Sequence, residues 1–170
     1  MMVFRLALMV LLQALILKDV APFGDWTRPQ WSLWALLLIP PQVNPFLKLL
    51  AGFGMGLGLD LAMGTYGQHM VAGTILGGFL PSLHRLMSPR EGYEVSDRPT
   101  LRDLGSRWLL PFTFFAALVY HLSLMVVQEW YWNLMTGALF PAITSAFFTT
   151  TCCVIAHMVV YSPDRRKEGN

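Results

Sequence analysis

The chain has 170 residues, of which 55% are apolar and only 13% charged, with a net charge of +2. A soluble domain carries about 25% charged residues, so this chain lacks the polar surface such a fold needs and reads as an all-α polytopic membrane bundle. So small a net charge also argues against a nucleic-acid-binding protein.

In chain order, the apolar runs suggest six membrane segments in a single domain, residues 1–170. The first, 3–19, contains Arg5 and a long apolar run and superficially resembles a signal peptide. Its apolar run is long for that role and no small-x-small cleavage site follows, so it is read as a retained helix. The second, 29–42, opens at Pro29, a residue suited to the first helical position, and stops at Pro40-Pro41. At about 1.5 Å per residue it lies near the lower limit for crossing a core of ~30 Å, which suggests a tilted or partial span. The third is 46–63, the fourth 67–86, the fifth 107–128 and the sixth 134–161. The connectors PPQVNP, MGTYG and EWYWN read as tight turns. The only cysteines, Cys152 and Cys153, are sequence neighbours in an apolar run and read as packing residues, neither a disulfide nor a zinc site.

Basic residues orient the bundle. With six spans, Arg5, Lys48, Arg85, Arg90, Arg98, Arg102, Arg107, Arg165, Arg166 and Lys167 share one side, against Lys18 and Arg28 on the other. The richer side is expected to be cytoplasmic and to hold both termini. Trp26, Trp31 and Trp34, and the group Trp130, Tyr131 and Trp132, fit interfacial belts. The cytoplasmic side then includes the loop 85–107 and a short tail, 162–170. The loop carries two helix-start signals, Ser88-Pro89-Arg90-Glu91 and Thr100-Leu101-Arg102-Asp103, and is expected to form two short surface turns. Its arginines Arg85, Arg90, Arg98 and Arg102 serve either as an ordinary positive-inside loop or as a docking patch for a cytoplasmic partner or anionic lipid.

The stretch GFGMGLGLDLAMGTYGQH, residues 52–69, is the most informative. Gly52, Gly56, Asp60 and Gly64 recur every four residues and share one drifting helix face, while Gly54 and Gly58 widen its small side. In lipid such a face admits a second helix backbone at close range. Gly73, Gly77 and Gly78 give the next helix a similar face. The two are expected to pack on each other or to share a third helix. Asp60 is the costly residue, at about 3 kcal/mol on insertion scales. Three roles are open to it: bonding nearby amides, or Gln68 and His69, and so fixing the turn; contacting a partner's helix; or forming an ion or proton site.

No GxSxG, HExxH or GxxxxGK[ST] occurs, and His69, His84, His121 and His157 have no acid at a metal or nucleophile spacing. His84 and Arg85 suit a helix C-terminus. A membrane enzyme would require a cluster such as Asp60, His69 and Glu129 to converge. No enzyme activity, cofactor or metal is expected.

The run LAGFGMGLGLDLAMGTYGQH resembles the hallmark of the MreD family of bacterial rod-shape-determining membrane proteins, with its G-x-x-x-G-L-x-x-D core, a glycine turn and a further membrane helix. SPREGYE and PTLRDLGSRW, followed by His121 and Glu129, are similar to one subgroup of it. The resemblance covers most of the chain and is most specific over 38–130; the first and last helices match only in being apolar, and the Pro-Pro stop is this chain's own. Carried over residue by residue, Gly52, Gly56, Leu57, Asp60 and Gly67 are the matching positions. The resemblance implies a fold similar to the six-helix substrate-binding components of energy-coupling-factor transporters. It also implies an inner-membrane scaffold in the wall-elongation machinery, or elongasome. That scaffold binds the bitopic protein MreC and, through it, connects to RodA, a penicillin-binding transpeptidase and MreB filaments. The matching residues would shape the third and fourth helices and the groove that takes the MreC helix. The alternative is a small-molecule, vitamin-type transporter subunit, which predicts an enclosed polar pocket.

Overall fold

Apolar runs of this length satisfy their own backbone only as helices, and helix is what the chain forms. The computed structural model describes residues 2–17, 27–129 and 135–161. Its helices are α1 (Met2–Leu12, continued by a π-helical turn at Gln13–Leu17), α2 (Leu33–Leu37), α3 (Pro45–Met63), α4 (Gln68–Leu86), α5 (Gly105–Glu129) and α6 (Met135–Val160). No strand occurs among the described residues. Three helices are long and apolar enough to cross a membrane: Pro45–Met63, Gly105–Gln128 and Leu139–Val160. Phe4–Leu15 is apolar but shorter. Lys18, Trp26, the belt residues Trp130, Tyr131 and Trp132, and the tail 162–170 with Arg165, Arg166 and Lys167 lie outside the described residues.

Local chemistry sets the ends of the central pair. The Asn44 side chain accepts from the Phe46 N–H at 2.8 Å, and Pro45 occupies the first helical position, where no N–H is needed. Gly64 ends α3 at φ 70°, its N–H returning to the Asp60 carbonyl, and Gly67 precedes α4 at φ 83°. Both conformations are left-handed and favour glycine.

Packing follows two hairpins. α3 lies on α4 and α5 on α6, with α4 against α5 joining them, while α1 leans on α3. Met55 and Leu59 of α3, Leu76 and Leu80 of α4, Phe112 and Ala116 of α5, and Leu33 and Leu36 of α2 form one buried cluster. Large apolar side chains also point outward, including Leu61, Phe147 and Val159. That distribution suits lipid as the surrounding solvent.

The second expected segment needs correction. Within 29–42 only the five residues of α2 are α-helical. Residues 27–30 are neither helix nor strand, yet Thr27 and Gln30 are buried. The cause is a set of hydrogen bonds from distant helices, described below. Loop 85–107 forms turns, as its cap signals suggest, but only one signal acts as a cap. The Thr100 hydroxyl accepts from the Asp103 N–H at 3.3 Å, whereas the Ser88 hydroxyl turns to the Pro89 carbonyl.

Candidate functional site

The glycines of α3 and α4 face each other. A β-carbon built at Gly52 would fall on the Gly73 carbonyl oxygen, and one at Gly73 on the Gly52 carbonyl oxygen. At Gly56 it would lie 2.5 Å from the Met70 Cα, and at Gly77 2.5 Å from the Lys48 carbonyl oxygen. Distances under 3.0 Å essentially never occur for real β-carbons, so four positions on two helices exclude every side chain. The two backbones are therefore in direct contact, and the Gly52–Gly56 face is occupied by α4 and closed to a partner helix. Gly58 faces Val10 of α1, while Gly54 meets nothing within 4 Å. Leu57, the remaining motif residue on this helix, points outward.

Asp60 completes the pair. The first amides of a helix lack intrahelical acceptors, and Gly67, at the N-cap of α4, has no side chain to offer one. Asp60 supplies it from the preceding helix. Its Oδ1 accepts from the His69 N–H at 3.1 Å and its Oδ2 from the Met70 N–H at 2.8 Å. The Thr65 hydroxyl also donates to Oδ1. The carboxylate, 5% exposed, thus lies at the positive end of the α4 dipole. This is the first of the three roles open to it. His69 itself is buried, with Nδ1 2.7 Å from the Tyr120 hydroxyl of α5. The Glu129 side chain lies outside the described residues, so the cluster Asp60, His69 and Glu129 is met only in its first two members.

A buried polar seam runs between α6 and residues 27–34. Ser145, Thr149, Cys153 and His157 fall four apart on α6 and are all buried. The Arg28 N–H donates to the Ser145 hydroxyl at 3.1 Å, and the Gln30 N–H to the Thr149 hydroxyl at 3.0 Å. Alternate amides, those of residues 28 and 30, thus meet side chains one helical turn apart, about 6 Å along α6. Gln13 serves the other side, accepting from the Trp31 N–H at 2.8 Å and donating to the Pro29 carbonyl at 3.3 Å. Irregular backbone inside a membrane domain persists only where the protein supplies such partners. Thr149 also meets His121 Nε2 of α5 at 2.9 Å. Further along, the Trp34 ring stands edge-on to His157, with centroids 5.8 Å apart. Gln30 Nε2, Ser32 Oγ, Trp34 Nε1, His121 Nδ1 and His157 Nδ1 are buried without a protein partner.

The opposite end of the α3–α4 pair holds a second cluster. Lys48, expected at the cytoplasmic surface, is 1% exposed. Its Nζ donates to the Pro41 carbonyl at 2.9 Å and lies 3.4 Å from His84 Nδ1. The His84 ring stacks on Phe112, which stacks on Trp108. The Tyr93 hydroxyl donates to the His84 carbonyl at 2.9 Å, and Trp108 Nε1 donates to the Met87 carbonyl at 2.7 Å. Burial raises the Tyr93 phenol above its ordinary pKa, which keeps it protonated as a donor. These contacts fasten the loop to the bundle. Arg85, Arg90, Arg98 and Arg102 are all exposed on it.

Of the residues singled out from sequence, Gly52, Gly56 and Asp60 come together in one contact, Gly64 and Gly67 form the adjoining turn, and the four arginines lie apart from them. Lys48, Gln13, Ser145 and Thr149 gain structural roles that the sequence did not single out; the four-residue spacing of small polar groups in α6 was the available signal. No group of three or more metal-binding side chains occurs among the described residues. Comparison with protein-family models, curated proteins and solved structures gives no match.

Proposed function

We propose that this chain is an MreD-type membrane scaffold of the rod-shape complex, or elongasome, which binds an MreC-type bitopic protein and supports lateral peptidoglycan synthesis. The observation that supports this reading is the glycine-locked α3–α4 pair. The residues that resemble the family hallmark are the ones that build it: Gly52 and Gly56 admit the α4 backbone, Asp60 caps α4, and Gly64 and Gly67 turn the chain. A rigid, interlocked pair offers a partner a fixed surface at low ordering cost. The partner's membrane helix then meets the outward face of α3, where Gly54 leaves open space between Phe53 and Leu57. The role needs no catalysis and no cofactor. In this reading the protein lies in the inner membrane with both termini in the cytoplasm. Its six crossings comprise α1, α3, α4, α5, α6 and the broken segment 29–42, in an arrangement similar to energy-coupling-factor substrate-binding components. The exposed arginines face MreB and anionic lipid, and the link to RodA and its transpeptidase partner runs through MreC.

Detergent co-purification with the MreC-type partner tests the proposal, comparing the wild type with Gly54→Leu and Leu57→Ala. Both substitutions sit on the outward face and should leave folding intact while reducing partner recovery severalfold. Gly56→Leu is the folding control, expected to lose the monodisperse gel-filtration peak itself. If the partner never co-purifies with the wild type, the scaffold reading fails.

One observation favours a second reading, a vitamin-type transporter subunit. Transporters place irregular backbone and polar side chains at mid-membrane substrate sites, and residues 27–30 with Gln30 and His121 have that character. Binding of a small polar solute to the purified chain, abolished by Gln30→Leu, would favour it over the scaffold.

A further inference from the structure

Loop 85–107 is fastened to the bundle around one histidine. His84, in the last turn of α4, is buried, and its ring stacks on Phe112 and stands edge-on to Tyr93. Its carbonyl accepts from the Tyr93 hydroxyl, and Trp108, which packs against Tyr93 and Phe112, donates to the Met87 carbonyl. The same ring meets a cation from α3, since Lys48 Nζ lies 3.4 Å from Nδ1. An ammonium only donates, so Nδ1 accepts and the ring proton sits on Nε2, which is buried without a hydrogen-bond partner. No acidic side chain pairs with Lys48 or His84 among the described residues.

The closed arrangement has no place for a second proton. On Nδ1 it would take the lone pair that Lys48 donates to, and it would set an imidazolium against an ammonium in the protein interior. The Phe112 face attracts a cation, but less strongly than an ammonium in contact repels one. The other neighbours offer no relief. Trp108 and Phe112 of α5 do not titrate, and the Tyr93 phenol of the loop is held protonated by burial. The Asp97 carboxylate accepts from the Glu94 N–H beyond it, and Arg85, next to His84 on α4, is exposed.

We propose that His84 is an acid-sensitive latch for loop 85–107: a proton taken from water onto Nδ1 displaces the Lys48 contact and frees the loop from its Tyr93 clasp. With the loop lifted, the ring reaches water and titrates near the ordinary histidine value of about 6.5. The open form then binds a proton that the closed form excludes. Closure is therefore fully favoured above about pH 6.5, and the opening equilibrium rises up to about tenfold for each pH unit below it. The latch rests on the Lys48–His84 geometry and does not depend on the scaffold reading.

Hydrogen exchange with mass spectrometry on the purified full chain in detergent tests it. Peptides covering residues 88–99 are followed at pH 7.5 and 5.5, with each rate corrected for intrinsic exchange at that pH. Loop opening in the wild type should be about tenfold greater at the lower pH. His84→Phe keeps a ring in the stack and cannot titrate, so its loop should respond less than about twofold. Lys48→Met removes the ammonium, lets the closed form accept the proton and should also blunt the response. Tyr93→Phe loses the clasp hydroxyl and should raise exchange at both pH values while keeping their ratio. A wild-type loop indifferent to pH overturns the proposal. So does an undiminished response in His84→Phe or in Lys48→Met, which would assign the titration to another group such as Asp97. If His84→Phe does not fold, Lys48→Met decides alone.

Discussion

Asp60 takes a charge into a membrane helix and is surrounded by donors: two amides at the start of α4 and the Thr65 hydroxyl. Removing the carboxylate strands those amides, and each buried, unsatisfied donor costs about 1–3 kcal/mol. Asp60→Ala should therefore lower the thermal midpoint of the purified protein by several degrees. Asp60→Asn keeps one acceptor oxygen and should fall between Asp60→Ala and the wild type. The ordering distinguishes a cap from an ion site. An ion or proton site needs the titratable charge, so Asn and Ala would then be equally damaging to function while stability hardly changed. Thermal unfolding followed by tryptophan fluorescence reads the result, and an Asp60→Ala protein as stable as the wild type would refute the cap.

Among the elements, α3 and α4 were legible because their signals are local. Asn44-Pro45 starts one helix, Gly64 and Gly67 turn the chain, and glycines four apart on both helices announce a close contact. The segment 29–42 was not legible. Its prolines and apolar residues look like a helix, but the Gln30 amide, and the Arg28 amide just before the segment, bond to side chains 119 and 117 positions away, in α6. No window on the sequence joins Arg28 and Gln30 to Ser145 and Thr149. Lys48 is a similar case, since its basic character was plain but its burial depends on His84 and Pro41 being brought to it. The seam has a direct consequence. Thr149→Val keeps the side-chain shape and orphans both the Gln30 amide and His121 Nε2, so it should destabilise by about 2–4 kcal/mol. Thr151 lies two residues along the same helix but is exposed, and its hydroxyl bonds only to the Phe147 carbonyl. Thr151→Val should be nearly silent. Equal midpoints for the two valine variants would mean that the hydroxyl rail does not hold segment 27–30 in place.

For the whole molecule, the open question is how α4 lies in the membrane. It has the same 19 residues as α3 and runs back along it, about 28 Å at about 1.5 Å per residue. Yet it is less apolar than the three helices that are long and apolar enough to cross on their own. Its polar residues explain the difference, and so does their setting: His69 and His84 are buried, and the glycine face is covered by α3. A helix sheltered by α3 on one side and α5 on another exposes less of itself to lipid and needs less hydrophobicity of its own. The turn at Tyr66 and the loop at Ser96 lie at its two ends, and both residues are exposed. In a background with Cys152 and Cys153 replaced by alanine, Tyr66→Cys should react with a membrane-impermeant maleimide in intact cells. Ser96→Cys should react only after the inner face is opened. The reverse pattern would invert the orientation but keep the crossing. Labelling of both from one side would mean that α4 does not cross, and α3, packed along its length, would then not cross either. That outcome is physically costly, because the outward face of α3 is apolar from Phe46 to Leu61 and needs lipid along its whole length.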